Sequence, residues 1–276
     1  MCEFCVKHGE GKKWYLNAKN YSDELLADLR RRELVKNVFY RVDKMYKRDF
    51  QLYKLIPNKF PILGILKKWT AQRILKYQHW GQVIPIEDVS VILSMASSIV
   101  RIPCICRKVS TGKEVRTCFL TIMNPDSLGI AGLLDQSYFG GPDVAKFEKV
   151  DKKDVLNFLS KQETKGMAHS IWTHGTPFIG GICSCDDSGC LGMKMYREET
   201  PAFFKAEYRV VVDKDKCSGC FACIKNCLFG ALSQDNLNKK VKIDLKKCYG
   251  CGICRSVCNK GALALKNCAY FSKVIF

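Results

Sequence analysis

The sequence lacks any long uninterrupted hydrophobic run. Its longest apolar stretch, Val89 to Val100, is broken by serines and falls well short of the roughly 20 apolar residues that a membrane-spanning helix needs. The amino-terminal segment has no apolar core followed by a small-residue cleavage site, so it carries no recognisable export signal. We therefore expect a cytoplasmic protein without a transmembrane segment.

The chain also lacks the compositional depletion of a disordered protein, since 47% of its residues are hydrophobic and 26% are charged. Its 276 residues exceed what one small core needs, so we expect two unequal domains. The formal net charge of +18 suggests a protein partner with an acidic face, an anionic membrane surface or nucleic acid. Nucleic acid is not favoured, because basic residues alternate with acidic ones and no known nucleic-acid-binding motif appears.

Cysteine is the residue present in excess, with 17 in the chain. Thiols in the cytoplasm remain mostly reduced, and an odd number of cysteines cannot pair completely. Because the cysteines also lie in tight local groups, they indicate metal ligands rather than disulfides.

The strongest internal signal is a repeat. The segment VVVDKDKCSGCFACIKNCLFGAL, which starts at Val210, aligns without gaps to VKIDLKKCYGCGICRSVCNKGAL, which starts at Val241. Each copy has the spacing C-x2-C-x2-C-x3-C. Such a run of four cysteines fits ligation of an iron-sulfur cube better than zinc, which takes its ligands in separated pairs.

These two copies resemble the bacterial two-cluster ferredoxin domain, and the likeness is confined to this C-terminal portion. In that family the fourth cysteine of each motif binds the cluster held by the other motif. The resemblance implies two [4Fe-4S] clusters, the first held by Cys217, Cys220, Cys223 and Cys258 and the second by Cys248, Cys251, Cys254 and Cys227. The family usually has proline after the fourth cysteine, where this sequence has Leu228 and Asn259.

The expected fold is α+β. We predict a basic, mainly helical N-terminal domain with an irregular or hairpin cysteine-rich region over residues 1–206. A ferredoxin-like two-cluster domain with pseudo-twofold symmetry follows over 207–267, and a tail over 268–276. Helical spacing predicts one long basic helix from Ser22, a second helix after Pro61, and a third from near Glu87 to just before Pro103. Asp151 and Gly166 mark the ends of a further helix.

Six cysteines outside the repeat form two groups, Cys104, Cys106 and Cys118 in one and Cys183, Cys185 and Cys190 in the other. If the turn at Thr111 faces the glycine loop near Gly180, four of these thiols could bind a third iron-sulfur cluster or a zinc ion, with Arg107 offsetting thiolate charge. The alternative is that they are small buried apolar side chains.

Two further sets of residues have the chemistry of ligands. Cys2, Cys5 and His8 have metal-like spacing and form a second candidate site, although no fourth ligand is evident. His169 and His174 could serve as additional ligands or proton donors near the glycine loop, although a lone histidine is more often structural.

The segments CEFCVKHGEGKKWYLNAKNY, RIPCICR and GMAHSIWTHGTPFIGGICSCDDSGC are similar to parts of larger ferredoxin-like proteins of anaerobes. We expect an electron carrier rather than a stand-alone enzyme. It would pass single electrons between a reductase or flavoprotein and a partner oxidoreductase, which docks on the basic front half. The alternatives are a redox enzyme whose third metal centre is fed by the ferredoxin domain, and a nucleic-acid-binding redox factor. The segment PILGILKKW also fits contact with a membrane surface, although we expect a core-facing helix there.

Overall fold

A computed structural model describes residues 13–55, 61–139, 147–199 and 202–268. It has a mixed helix and sheet architecture, in agreement with the expected α+β class. The candidate ligands Cys2, Cys5 and His8 lie outside the described residues, as does most of the predicted tail.

Several helices precede the first strand, all of them short except the last. They are α1 (Asp23–Leu26), α2 (Leu29–Lys36), α3 (Val38–Lys44), a π-helical turn (Met45–Phe50), α4 (Gln51–Leu55) and α5 (Pro61–Gln78), with 3-10 turns at Trp14–Leu16 and Ala18–Tyr21. The single long helix predicted from Ser22 is therefore wrong. Ser22 caps α1 as expected, but the Asp28 carboxylate caps a new helix after it. The Asn37 side-chain amide then donates to the Glu33 carbonyl at 3.1 Å, in competition with the helix backbone.

A seven-stranded sheet forms the centre of the N-terminal region. Its strands are β1 (Gly81–Ile84), β2 (Ser98–Ile102), β3 (Cys118–Ile122), β4 (Glu148–Val150), β5 (Ala168–Thr173), β6 (Ile179–Cys185) and β7 (Phe203–Phe204). Their order is β4-β2-β3-β6-β5-β1-β7, and every neighbouring pair is antiparallel except β1 and β7. The prediction of a mainly helical domain therefore missed this sheet. The antiparallel pair of β2 and β3 fits the hairpin alternative for the cysteine-rich region rather than the irregular one.

Helices cover both faces of this sheet. They are α6 (Ile86–Met95), α7 (Ile105–Thr111), α8 (Lys152–Glu163) and α9 (Leu191–Arg197), with 3-10 turns at Gly129–Gly132 and Gln136–Tyr138. Along β3, Phe119 packs in a core with α6 and α8, while Leu120 faces a core with α1, α2 and α3. Because both faces are covered, β3 is buried at every position and shows no polar alternation.

Two helix ends test the predictions directly. The helix from near Glu87 stops at Met95 rather than before Pro103, because the β-branched run from Ser98 to Ile102 forms strand β2. The Asp151 carboxylate accepts the Lys153 N–H at 2.7 Å and starts α8 as predicted.

The C-terminal repeat forms two small antiparallel ladders. Its elements are β8 (Tyr208–Val212), α10 (Ala222–Lys225), β9 (Leu232–Asp235), β10 (Lys240–Ile243), a 3-10 turn (Ile253–Arg255) and β11 (Leu263–Asn267). Strand β8 pairs with β11, and β9 pairs with β10. Each copy therefore contributes one strand to each ladder, as a pseudo-twofold arrangement requires.

Helix α5 presents apolar side chains to solvent. Ile62, Ile65 and Trp69 are among its exposed residues, so the expectation of a core-facing helix is wrong. Across the four described ranges, no helix combines the length and apolar character needed to cross a membrane.

Candidate metal centres

The first thiol quartet surrounds a small cavity in the C-terminal repeat. This cavity of about 20 Å³ is lined by all four cysteines predicted for the first cluster, Cys217, Cys220, Cys223 and Cys258. The Asp213 carboxylate accepts the backbone N–H groups of Asp215 and Lys216, which fixes the turn that leads into the motif. The structure thus brings three cysteines of one copy together with the fourth of the other.

The second quartet is equivalent but more buried. The Cys254 thiol interacts electrostatically with Cys251, Cys227 and Cys248 and, more weakly, with Cys223 of the first quartet. The fourth cysteine of the first copy therefore lies among the first three of the second. Cys248, Cys251 and Cys254 are buried, and burial raises the pKa of Cys251 to about 12. Asp244 accepts the N–H groups that follow it, as Asp213 does in the first copy.

Backbone N–H groups point at the sulfur atoms in both copies. The Ala231 N–H donates to Cys227 Sγ at 3.2 Å, and the equivalent Ala262 N–H donates to Cys258 Sγ at 3.3 Å. Such donors stabilise thiolates and set the potential of any bound cluster.

One family model matches this part of the chain. Residues 216–263 match the 4Fe-4S dicluster domain. This domain supports iron-sulfur electron transfer and at least one iron-sulfur cluster in the C-terminal repeat. A comparison with curated proteins gave no significant match to the chain.

The six other thiols of the described N-terminal region form one contiguous group, called here the six-thiol group: Cys104, Cys106, Cys118, Cys183, Cys185 and Cys190. Cys118 lies directly opposite Cys183 where β3 pairs with β6, and their sulfur atoms are 3.1 Å apart. Further side-chain hydrogen bonds join Cys104 to Cys106 and to Cys118, Cys106 to Cys190, and Cys185 to Cys190. The two sequence groups therefore meet, as the sequence hypothesis required.

Thiolate character in this group is concentrated at Cys104. The Cys106 thiol and the Cys118 thiol donate to its sulfur and hold the pKa of Cys104 well below its usual range, with help from Arg107. The same interaction raises the pKa of Cys106 well above its usual range. Arg107 also binds the Asp186 carboxylate at 2.9 Å, which fixes the guanidinium beside the thiols.

A large cavity lies against the six-thiol group. Its volume is about 1070 Å³, and Cys106, Cys118 and Cys183 form part of its lining. Most of the remaining wall is apolar and aromatic, and includes Trp172. A cavity of this size and character could hold a small organic molecule beside the sulfur atoms. The sequence carried no signal for this cavity, because its walls come from elements far apart in the chain: α2, α3, the π-helical turn, α7, α9 and four strands.

The six-thiol group and the second quartet share one apolar core. Cys185 and Cys190 pack in the same buried cluster as Cys251 of the C-terminal repeat, and the aromatic ring of Tyr249 belongs to this cluster too. The Tyr249 ring stacks on Phe229 with 4.1 Å between the ring centroids. The two candidate sites are therefore joined by packed side chains.

Of the two histidines singled out from the sequence, His169 is buried and His174 is half-buried. His169 Nδ1 lies 3.1 Å from Ser184 Oγ, and burial lowers the pKa of His169 to about 4. His174 lines the large cavity, and burial lowers its pKa to about 4 as well. Glu163 lies 3.7 Å from His169, and burial raises the Glu163 pKa to about 7.

Over the part of the chain that the structure describes, no three His, Cys, Asp or Glu side chains converge on a point that could hold a single metal ion. This applies to the six-thiol group as well as to the two quartets.

Proposed function

We propose that this chain is an electron carrier with two [4Fe-4S] clusters, one bound by each quartet. The observation that carries the proposal is the composition of the quartets, since each combines three cysteines of one copy with the fourth of the other. Such clusters accept and release single electrons when bound. The protein contributes thiolates, backbone N–H donors and a packed route between the sites.

The first quartet, which is the more open of the two, is the proposed docking site for the redox partner. Cys220 is exposed, and Lys239 and Lys260 are exposed residues close to this quartet. Their positive charge suits a flavoprotein or larger oxidoreductase with an acidic face. The proposal places the carrier in a reducing cytoplasm of an anaerobe, where so many thiols remain reduced.

An anaerobic preparation tests the proposal. Protein purified without reconstitution should contain iron and acid-labile sulfide, and dithionite should produce EPR signals of two interacting [4Fe-4S] clusters. A colourless preparation without iron or sulfide would contradict it. Replacing Cys220 with serine should remove about four irons, and replacing Cys268, which belongs to neither quartet, should remove none.

A redox enzyme is the second candidate, favoured by the cavity of about 1070 Å³ beside three thiols of the six-thiol group. In this case the C-terminal repeat would supply electrons to a metal centre that faces an apolar substrate. Cyanide is a suitable probe for an open coordination position at iron. An EPR spectrum that does not change in excess cyanide would speak against this candidate.

Helix α5 is a proposed point of contact with an anionic membrane surface. Its exposed Ile62, Ile65 and Trp69 lie on the same helix as Lys68 and Arg73. Co-sedimentation with vesicles that contain anionic lipid should fall when Trp69 and Ile65 are replaced by serine. Absence of co-sedimentation by the unaltered protein would remove this element of the proposal.

A further inference from the structure

We propose that the six-thiol group binds a third iron-sulfur cluster, separate from the two clusters of the C-terminal repeat. This inference goes beyond the two-cluster carrier and does not require it. It rests on side chains from four separate segments of the N-terminal region that meet at one end of the central sheet.

The first step is the convergence itself. Cys118 begins β3, and Cys183 and Cys185 lie at the end of the adjacent β6. Cys104 and Cys190 immediately precede the short helices α7 and α9. The Ser110 hydroxyl on α7 donates to the Gly189 carbonyl at 2.8 Å, which ties these two connections together. Pairing and tertiary contact therefore bring distant parts of the sequence to one place.

The second step is the chemistry of the group. Cys104, Cys118, Cys185 and Cys190 are buried, and the hydrogen bonds form an unbroken series from Cys183 to Cys185 through the other four thiols. Side chains that served only as small apolar filling would not need to contact one another in this way. A cluster with four thiolate ligands would use such a concentration of sulfur.

The third step is the compensation of charge. A buried set of thiolates is costly unless cations and N–H donors surround it. The mostly buried side chain of Arg107 lies beside Cys104. The backbone N–H groups of Arg107 and Met193 donate to Cys104 and Cys190, respectively. The Ser170 hydroxyl lies 3.4 Å from Cys185 Sγ. The surroundings are therefore those of an anionic sulfur site.

The fourth step is the position of the group. Cys185 and Cys190 pack with Cys251 of the second quartet, while Cys106 and Cys183 face the large cavity. A cluster here would lie between the second quartet and the cavity. The C-terminal repeat would then be electronically connected to a site that small molecules can reach.

The test is an iron and sulfide count on full-length protein purified without air and without reconstitution, together with EPR spin quantitation. The unaltered protein should contain about twelve irons per chain, against about eight for two clusters alone. The triple variant Cys104→Ser, Cys106→Ser and Cys190→Ser leaves three thiols in the group, fewer than a four-thiolate cluster needs. It should retain about eight irons and the EPR signals of the C-terminal clusters.

Two matched variants separate this inference from the proposed function. Cys268→Ser should leave about twelve irons, and Cys220→Ser should leave about eight by removing the first cluster of the repeat. Three results on the unaltered protein would overturn the inference: about eight irons per chain, zinc in place of the third cluster, or a fall to about eight irons after an air-free chelator wash. Each would leave the proposed two-cluster carrier unaffected. If the triple variant does not fold, the count on the unaltered protein decides. About twelve irons in a folded triple variant would also overturn it.

Discussion

The two copies of the cysteine motif have the same spacing but different surroundings. Cys220 in the first copy is exposed, whereas its counterpart Cys251 is buried against the N-terminal sheet region. The difference lies between the cysteines, where Ser218 of the first copy corresponds to Tyr249 of the second. The duplication kept the cysteines while the residues between them diverged, which gives one open and one enclosed candidate site.

The residues after the fourth cysteines follow the same division. Cys227 is followed by Leu228 and Phe229, which pack in the core around the second quartet, whereas Cys258 is followed by the exposed Asn259 and Lys260 beside the first. The residues after each fourth cysteine therefore match the quartet that this cysteine joins. They pack in a core after Cys227, which joins the second quartet, and are exposed after Cys258, which joins the first. This division explains why neither position holds the proline that is usual in the ferredoxin domain, since Leu228 packs in an interface and Asn259 lies at the surface.

The largest expected effect comes from removing one ligand in each copy. Cys251→Ser and Cys220→Ser should each remove about four irons per chain. Only Cys251→Ser should also lower the melting temperature substantially, because Cys251 lies in the core shared with the sheet region. Anaerobic calorimetry with an iron count checks this. Equal losses of thermal stability in the two variants would show that burial does not distinguish the sites.

A smaller effect is expected at the glycines between the first and second cysteines. Gly219 and Gly250 have φ values of +70° and +69°, and an added Cβ would meet the carbonyl of Lys239 or Tyr208, respectively. Left-handed strain costs each alanine variant about 1–2 kcal/mol. Tyr208 is held in a strand ladder, whereas Lys239 lies in an exposed turn, so Gly250→Ala should lose about 1–3 kcal/mol more from overpacking.

Denaturant unfolding under anaerobic conditions measures the two glycine variants side by side. If Gly219→Ala lost more free energy of unfolding than Gly250→Ala, the prediction would be contradicted, because the backbone of the exposed copy would then be the more constrained of the two.

The open site should also respond to surface charge. Lys260→Glu should slow reduction by a flavoprotein reductase about threefold at low salt, with a smaller effect at high salt, because it opposes the acidic face of the partner. Lys149→Glu on the edge strand β4 makes the same charge change away from both quartets and should leave the rate unchanged. Stopped-flow absorbance measures both. Equal slowing by the two variants would attribute the effect to net charge rather than docking.

The sequence was informative where chemistry depends on local spacing. The repeat, the cap at Asp151 and the correspondence of Asp213 with Asp244 follow from residues close in the chain, and the structure agrees with them. The hypothesis that the two cysteine groups outside the repeat meet also agrees with the structure, in which Cys118 contacts Cys183. The sequence signal for it was the C-x-C spacing, which is rare by chance.

The central sheet could not be predicted in the same way. Strand β3 is buried on both faces, so its side chains give no alternating pattern, and β1 has only four residues. The pairing of Cys118 with Cys183 is a matter of register between distant strands, which no local property of either strand specifies. The large cavity and the exposed face of α5 depend on the same long-range packing.

The smallest expected effect concerns an ion pair that, among the described residues, the second copy makes with helix α6 and the first copy does not. Arg255 binds both carboxylate oxygens of Glu87, at 2.6 and 2.9 Å, whereas Ile224 is the corresponding residue of the first copy. Because the pair is partly exposed, Arg255→Met should lose at most about 1 kcal/mol. A double-mutant cycle with Glu87→Gln, measured by anaerobic denaturant unfolding, isolates the contribution of the pair.

The pH dependence of this pair has a definite sign. Burial acts to raise the pKa of Glu87 and is the largest single cause. The Arg255 hydrogen bonds, a backbone hydrogen bond and the positive charges of Arg255 and Lys13 together outweigh it and hold the pKa below its usual value. The stabilisation is therefore complete above the unfolded pKa of about 4.3 and is lost as the pH falls through the lower folded value. The coupling energy should be constant from pH 8 to about pH 6 and should shrink in 1 M salt. A coupling that grew in salt would show that Arg255 stabilises the enclosed copy by packing rather than by charge.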